Sequence, residues 1–331
     1  MQKVQLGNSD VNVSQIAFGA WAIGGWMWGG SDQKEAIRAI QKSIELGITT
    51  IDTAPIYGFG LSEELTAEAL RGIPRDKVQI LTKFGLRWDL QKGVFYFDSK
   101  MNDGQDVKIY KYSGKESVIY ECEQSLRRLK TDYIDLYQIH WPDNSTPIEE
   151  TFEAVSKLLE QGKIRAAGVC NYLPEQIERA RTQVPIVSNQ VPYSMVERTI
   201  EKYTVPYCIQ HNISVLAYSP LQRGLLTGKI GMDYSFSEGD HRPHTKFFKP
   251  HNRSKILEFL ELLRPFARKY QATISQIVLN WTLQQPGITC LLVGARNPQQ
   301  VEENAQSLSF QLSSEEVIFI RNELEKLVIL D

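Results

Sequence analysis

Short apolar runs alternate with helix-like segments eight times along this chain of 331 residues. The runs are rich in Ile, Val and Leu, which is typical of parallel strands buried on both faces. Such an unbroken alternation predicts an α/β fold closed into a (β/α)8 TIM barrel, not an open dinucleotide-binding sheet. The predicted strands are Gln15–Gly19, Thr49–Thr53, Val78–Lys83, Tyr133–His140, Ile164–Cys170, Ile186–Val191, Ile213–Ser219 and Ile288–Val293.

Helix start and stop signals lie between these runs. Ser62 and Ser313 precede acidic residues, Pro147 stands at a first helical position, and Gly47 and Gly162 stand where helices should end. We expect one domain over residues 1–331, with an N-terminal β-hairpin and additional C-terminal helices. The predicted helices are Asp32–Leu46, Ser62–Leu70, Lys115–Leu129, Thr146–Gln161, Pro174–Thr182, Ile200–Gln210, Arg253–Tyr270, Thr273–Gln285, Pro298–Ala305 and Ser313–Leu327.

Two long segments interrupt the alternation. Residues 85–114 are rich in aromatic side chains, and residues 222–252 contain Gly, Pro, His and Arg. Both follow the carboxyl ends of strands, so they are predicted to be loops that overhang the mouth of the barrel.

Composition excludes several classes of protein. Lys and Arg number 37 against 39 Asp and Glu, which gives no basic surface for nucleic acid or a membrane. No apolar run approaches the roughly 18 residues needed to cross a bilayer. The start MQKVQLGNSD lacks the pattern of a signal peptide, and the four cysteines form no CxxC pair. We therefore expect a cytoplasmic protein with free thiols and no metal site, while its oligomeric state stays open.

Four polar residues lie at, or just past, the carboxyl ends of predicted strands two, three and four: Asp52, Tyr57, Lys83 and His140. Any one alone could be an ordinary strand-end residue, but together they fall where a barrel carries its chemistry. An ammonium beside a phenol should lower the pKa of that phenol, and a carboxylate would hold the ammonium in place. An imidazole can orient a substrate oxygen. The set suits reduction of a carbonyl by hydride, with a proton from Tyr57.

Hydride requires a cofactor, yet the chain has no G-x-G-x-x-G after a strand, and RGLLTGKI lacks the spacing of a phosphate loop. The loops after strands seven and eight, AYSPLQRGLLTGK and VGARNPQQVEEN, are the alternative phosphate site of a barrel.

The whole chain resembles the aldo-keto reductase family. The stretches FGAWAIGG, DTAPIYGFGLSEE, TKFG, LYQIHWPD, GVCNY, NQVPYS, AYSPL and GARNPQQVEEN occur in family order. Within the family the chain is similar to bacterial reductases of the general-stress type, which suggests a role in stress response. The resemblance implies metal-free, NADPH-dependent reduction of aldehydes or ketones.

The resemblance also implies a role for each matching residue. Tyr57 is the general acid, Lys83 and Asp52 tune it, and His140 orients the substrate. The implied cofactor contacts are Asn171 and Gln190 at the carboxamide, Tyr218 at the nicotinamide ring, Ser219, Leu221, Gln222, Arg223, Gly224 and Lys229 at the pyrophosphate, Gly294, Ala295, Arg296, Gln300, Glu303 and Asn304 at the adenosine end, and Ala20, Trp21, Asp52, Cys170 and Pro220.

Two departures from the family bear on the cofactor. Cys170 replaces a serine common before Asn171, and a thiol is the weaker donor. Gly294 replaces a lysine of the animal branches, which leaves Arg296 and Gln300 to contact the 2′-phosphate. Arginine suits that anion, so NADPH is favoured over NADH.

The substrate is expected to be a small carbonyl compound in an apolar, comparatively open pocket. The predicted walls are Trp21, Tyr57, Trp88, His140 and Trp141, although segment 85–114 could cover the site instead. Two alternatives remain: a reductase or dehydrogenase specific for a sugar, polyol or pyridoxal, and a regulatory NADPH-binding subunit with little turnover.

Overall fold

A closed barrel of eight parallel strands forms the centre of the computed structural model, which describes residues 1–330. Strands β1 (Lys3–Gln5) and β2 (Asn12–Ser14) form the predicted hairpin before it. The barrel strands are β3 (Ile16–Gly19), β4 (Thr50–Asp52), β5 (Gln79–Phe84), β9 (Leu136–Ile139), β10 (Ala167–Cys170), β11 (Ile186–Pro192), β12 (Ser214–Tyr218) and β13 (Ile288–Gly294). They follow one another in chain order, and β13 closes on β3, which confirms the (β/α)8 prediction.

The helices surround this barrel, and none among residues 1–330 is long and apolar enough to cross a membrane. The additional helices expected toward the C-terminal end are present at Ile274–Leu283 and Ser314–Glu325. The helices are α1 (Gln33–Glu45), α2 (Leu61–Ala69), α3 (Lys115–Leu129), α4 (Ile148–Glu160), α5 (Pro174–Arg181), α6 (Thr204–Gln210), α7 (Pro250–Glu261), α8 (Arg264–Lys269), α9 (Ile274–Leu283), α10 (Pro298–Gln306) and α11 (Ser314–Glu325).

Three helix boundaries differ from the prediction. The helix predicted at Arg253–Tyr270 is divided into α7 and α8, because Pro265 has no amide proton to continue a helical ladder. Ser62 does not cap α2; its hydroxyl donates to the carbonyl of Ala20 at 2.9 Å. Pro147 precedes α4 rather than opening it. The predicted Ser313 cap of α11 is confirmed, since its side chain accepts from the amide of Glu316.

The N-terminal hairpin closes the amino end of the barrel. Leu6, Val11 and Val13 are buried in one cluster with barrel-strand residues that include Leu81 and Leu216. Burial of this apolar surface fixes the hairpin over the bottom of the barrel. The carboxyl ends of the strands are therefore left for the site.

Segment 85–114 is not the predicted loop. It forms a three-stranded antiparallel sheet, the flap, from β6 (Leu86–Arg87), β7 (Val94–Lys100) and β8 (Asp106–Lys111). The flap has its own aromatic and aliphatic cluster with Trp26 and Ile56. The pairing of β7 with β8 shifts register between Phe95 and Phe97, so Tyr96 is the extra residue of a β-bulge.

Segment 222–252 contains three short 3₁₀ turns before α7 begins. A single β-bridge joins Asp240 of this segment to Trp28, which follows β3. The segment therefore lies against the loop after β3 at the mouth of the barrel.

Candidate active site

A buried ion pair joins the ends of two neighbouring strands. The Nζ of Lys83, on β5, donates to Oδ2 of Asp52, on β4, at 2.7 Å and to the carbonyl of Thr53 at 2.9 Å. Lys83 is fully buried. Burial lowers the pKa of Lys83, but Asp52 and Tyr57 more than offset this, so its pKa lies above the ordinary value. Lys83 is therefore an ammonium at neutral pH.

Tyr57 lies directly above this pair. The Nζ of Lys83 is 4.8 Å from the centre of the Tyr57 ring. Burial raises the pKa of Tyr57 to about 12, and the lowering effect of Lys83 does not offset it. The net shift is therefore upward, which corrects the expected lowering of that pKa. Tyr57 thus holds its proton at neutral pH and has one to donate.

His140 completes the group at the end of β9. Its ring centre is 5.6 Å from that of Tyr57, with the planes nearly perpendicular. Burial, and then the positive charge of Lys83, hold the pKa of His140 well below its ordinary value. The imidazole is therefore neutral at pH 7 and can donate a hydrogen bond without carrying a charge.

A cavity of about 570 Å³ extends from these residues to the loop after β13. It contains most of the predicted site residues. Its lining includes Trp21, Asp52, Tyr57, His140, Trp141, Cys170, Asn171, Gln190, Tyr218, Ser219, Pro220, Leu221, Arg223, Gly224, Lys229, Gly294, Ala295, Arg296, Gln300, Glu303 and Asn304.

Four predicted residues are not part of this lining. Lys83 lies beneath it, and Ala20 is completely buried. The side chain of Gln222 accepts a hydrogen bond from Ser194 at 3.2 Å. Trp88 was expected in the pocket wall, but it packs edge-to-face on Phe59 behind the cavity.

The residues expected at the nicotinamide are hydrogen-bonded to the catalytic ones. Asn171, with a left-handed φ of 60°, donates to the carbonyl of His140 at 3.1 Å and accepts from the Tyr218 hydroxyl at 3.0 Å. The amide nitrogen of Gln190 donates to Oδ1 of Asp52 at 2.8 Å. Cys170 is buried, which raises the pKa of its thiol and keeps it neutral.

The guanidinium group of Arg223 lies at the cavity and has no counterion in the described part of the chain. It forms no salt bridge within residues 1–330, and its Nε is buried without a hydrogen-bond partner there. Burial lowers the pKa of its guanidinium. Its backbone has a φ of 55°, a strained value for a residue with a side chain. Its guanidinium carbon lies 5.6 Å from the ring of Trp21.

Two cationic side chains lie at the end of the cavity near α10: Arg296, which has no carboxylate partner within residues 1–330, and Lys229, which has one. Arg296 donates to the carbonyl of Trp28 at 2.8 Å, and its guanidinium lies over the Trp28 ring. Lys229 is instead bound to Glu303 at 2.6 Å. Asn297 caps α10 by accepting from the amide of Gln300 at 3.0 Å. A cationic loop in front of a helix amino terminus suits a phosphate group.

Sequence reasoning missed four residues of the cavity wall that come from the two long segments: Tyr96, Phe97, His241 and Arg242. Tyr96 and Phe97 of the flap both line the cavity, which two consecutive residues of a regular strand cannot do. The bulge at Tyr96 turns both toward the site. The flap thus covers part of the mouth, and the expected open pocket is revised. His241 and Arg242 come from segment 222–252, where only their residue types were a signal.

The cavity as a whole fits an anionic dinucleotide. A buried guanidinium without a counterion, a second arginine in front of a helix terminus and an aromatic ring beside the catalytic tyrosine are spread along it. Within residues 1–330 no three His, Cys, Asp or Glu side chains converge to hold a metal ion.

A model of the Aldo/keto reductase family matches residues 15–324. The chain belongs to this family. It is 38% identical over 330 residues to the aldo-keto reductase YhdN of Bacillus subtilis (strain 168), which covers 99% of the chain and 95% of that relative. It is 37% identical to the NADH-specific methylglyoxal reductase of Escherichia coli (strain K12), over 99% of both. Among solved structures, the glycerol dehydrogenase AKR11B4 of Gluconobacter oxydans has a TM-score of 0.86 at 39% identity, covering 98% of this chain and 96% of that one.

The family places this chain among oxidoreductases that use a nicotinamide cofactor and act on carbonyl compounds. The relatives differ in the cofactor and substrate that their names give, since one is NADH-specific and another acts on glycerol.

Proposed function

We propose that this aldo-keto reductase reduces aldehydes and ketones to alcohols with NADPH, using Tyr57 as the proton donor. The observation that carries the proposal is the position of Tyr57 beside both the buried Lys83–Asp52 pair and His140. Each of these residues has the protonation state that carbonyl reduction requires.

The residues act in a simple order. The carbonyl oxygen of the substrate accepts hydrogen bonds from the neutral imidazole of His140 and the hydroxyl of Tyr57. As negative charge develops on that oxygen, the Tyr57 proton moves to it, and the ammonium of Lys83 stabilises the phenolate left behind. Asp52 positions the ammonium through its 2.7 Å bond. The hydride is supplied by the reduced nicotinamide of the bound cofactor.

The cofactor would lie along the cavity. Tyr218 offers its ring to the nicotinamide, while Asn171 and Gln190 would exchange their present partners for its carboxamide. Arg223 offers its guanidinium to the pyrophosphate, beside the backbone of Ser219 and Gly224.

The preference for NADPH rests on Arg296. It is a cavity cation without a carboxylate partner within residues 1–330, and it stands beside the amino end of α10. Bidentate contact with a phosphate would compensate a guanidinium better than the carbonyl of Trp28 does. Because one relative is NADH-specific, the ratio of the dissociation constants for NADPH and NADH is the measurement that tests this preference.

Steady-state turnover with NADPH and methylglyoxal or 4-nitrobenzaldehyde tests the proposal. We expect many turnovers per chain for the wild type and a loss of at least about a hundredfold in kcat for Tyr57→Phe, with NADPH binding retained. Tyr96→Phe, a cavity tyrosine outside the proton path, is the matched control. Near-normal kcat in Tyr57→Phe would end the assignment, and a single turnover by the wild type would favour a regulatory subunit.

A second candidate is a polyol dehydrogenase, which the structural similarity to a glycerol dehydrogenase favours. Oxidation of glycerol by the wild type with NADP⁺ and NAD⁺ would measure it. The cytoplasmic location and the role in stress response stay predictions.

A further inference from the structure

The main chain of Tyr57 lies directly against the loop that follows β3, and a glycine forms the contact. Gly24 is buried at the end of a 3₁₀ turn, Ala22–Gly24. A Cβ atom placed on Gly24 would lie 2.6 Å from the carbonyl oxygen of Tyr57 and 2.7 Å from its carbonyl carbon. Atoms that are not bonded to each other rest at about 3.5 to 4.0 Å. A side chain at position 24 would therefore displace the peptide of Tyr57.

The contact is reciprocal, because the residue after Tyr57 is also a glycine. A Cβ atom placed on Gly58 would overlap the carbonyl oxygen of Gly24. Gly58 has a φ of 70°, which by itself favours glycine, whereas the φ of Gly24 is not positive. The contact with Tyr57, and not the backbone conformation, is thus what requires glycine at position 24.

The tip of the flap bridges the two glycines. Asn102 lies in the turn between β7 and β8, and its side-chain amide donates to the carbonyl of Gly24 at 3.3 Å and to that of Gly58 at 3.4 Å. Both bonds are long, but one donor joins the two loops. Gly24, Gly58 and Asn102 are named the glycine junction below.

Hydrogen bonds hold both loops of this junction in place. The carbonyl of Tyr57 accepts from the amide of Ser62 at 3.1 Å, and the Ser62 hydroxyl donates to the carbonyl of Ala20 at 2.9 Å. On the other loop, the Ser31 hydroxyl donates to the carbonyl of Ile23 at 2.7 Å. Because neither loop is free to give way, a side chain at position 24 would move Tyr57 itself.

Proton transfer is sensitive to such a movement. A proton donor must come within about 2.6 to 3.2 Å of the atom that receives the proton. A displacement of about 1 Å can lower the rate about a hundredfold. Tyr57 must meet this condition while it stays beside Lys83 and His140.

We propose that the glycine junction is a positioning element for the proton donor, with Gly24 as the residue that sets the place of the Tyr57 hydroxyl. This inference rests on the proposed function and deepens it, because it names residues outside the cavity lining that control proton transfer.

Gly24→Ala tests the inference through a split between kcat and KM. With NADPH and 4-nitrobenzaldehyde, kcat should fall at least about tenfold, while KM and the NADPH dissociation constant stay within about twofold of the wild type. Gly231→Ala is the matched control, since Gly231 is exposed, its φ is not positive and no atom of residues 1–330 lies within 4 Å of the added Cβ. Its kcat should equal that of the wild type.

A double variant shows whether the loss acts through Tyr57. In Tyr57→Phe no hydroxyl is left to misplace, so the addition of Gly24→Ala should lower kcat by less than about twofold more. A general disturbance of the barrel would lower kcat by the same factor in both backgrounds.

Asn102→Asp carries the same test at an exposed position, where folding is not at stake. It replaces the bridging donor by an acceptor of equal size beside two carbonyl oxygens. We expect kcat to fall about threefold in the presence of the Tyr57 hydroxyl and to stay unchanged in Tyr57→Phe.

Three results would contradict these expectations. Normal kcat in Gly24→Ala would overturn the inference, and so would equal losses with and without the Tyr57 hydroxyl. If Gly24→Ala does not fold, Asn102→Asp decides by the same two criteria. Near-normal kcat in Tyr57→Phe alone would overturn the proposed function, and the positioning role would fall with it.

Discussion

Replacement of Glu121 by glutamine should change how the stability of the protein depends on pH. Glu121 lies on α3 and is buried where the flap leaves the barrel. Its carboxylate accepts from the amide of Gly85 at 3.0 Å and from the Ser117 hydroxyl at 3.1 Å. Burial raises the pKa of Glu121 to about 7, although Arg87 and the Gly85 amide lower it.

The size of the pH-dependent loss of stability follows from the difference between the pKa of Glu121 in the folded chain and its pKa in the unfolded chain. The folded value of about 7 lies above the ordinary 4.5, so between these values the folded chain binds a proton that the unfolded chain has released. Its contribution to stability is complete below pH 4.5 and is lost as the pH rises through 7. At 1.36 kcal/mol for each pKa unit, the loss is about 3 kcal/mol.

Urea unfolding of the wild type and Glu121→Gln at pH 5 and pH 8 measures this loss. The free energy of unfolding of the variant, relative to the wild type, should increase by about 2.5 kcal/mol between the two pH values, because a small part of the loss has already occurred at pH 5. Glu116→Gln, an exposed residue on the same helix, is the control. If the two pH profiles of wild type and Glu121→Gln run parallel, the carboxyl does not have a raised pKa in the folded state.

The other predictions concern the two cavity arginines. Arg296→Ala should weaken NADPH binding about tenfold and leave NADH binding nearly unchanged, because only NADPH carries the 2′-phosphate; equal losses in the two dissociation constants would remove Arg296 from that role. Arg223→Gln should weaken both cofactors by a similar factor of about ten, since the pyrophosphate is common to them. Fluorescence titration measures both constants, and loss of NADPH binding alone in Arg223→Gln would contradict its position at the pyrophosphate.

The barrel and its catalytic group were predictable because local signals determine them. Strands buried on both faces have a composition unlike that of helices, and their order follows the chain. Asp52 ends β4 and Lys83 is the last residue but one of the neighbouring β5, so parallel pairing brings them to the same edge of the barrel. The raised pKa of Tyr57 was not predictable, since burial of the ring outweighs the lowering effect of the neighbouring Lys83, and the depth of burial cannot be read from the sequence.

The flap, and the part of the cavity wall that contains His241, could not be predicted for a different reason. The residues of β7 are mostly exposed or half-buried, so they lack the apolar alternation that indicates a strand. The bulge at Tyr96 is a feature of pairing with β8 and leaves no trace in composition. His241 reaches the cavity only because Asp240 pairs with Trp28, more than two hundred positions earlier in the chain.

Changes in the flap could alter the substrate preference of the protein without changing its catalytic residues. It hangs from the barrel at Gly85 and Ser113, and its side chains pack in a cluster separate from those of the barrel. A longer β7–β8 hairpin, or different residues in place of Tyr96 and Phe97, would change the shape of the cavity wall that the flap contributes. The hydrogen-bonded pair of Lys83 and Asp52, which lies on the barrel strands, would not change.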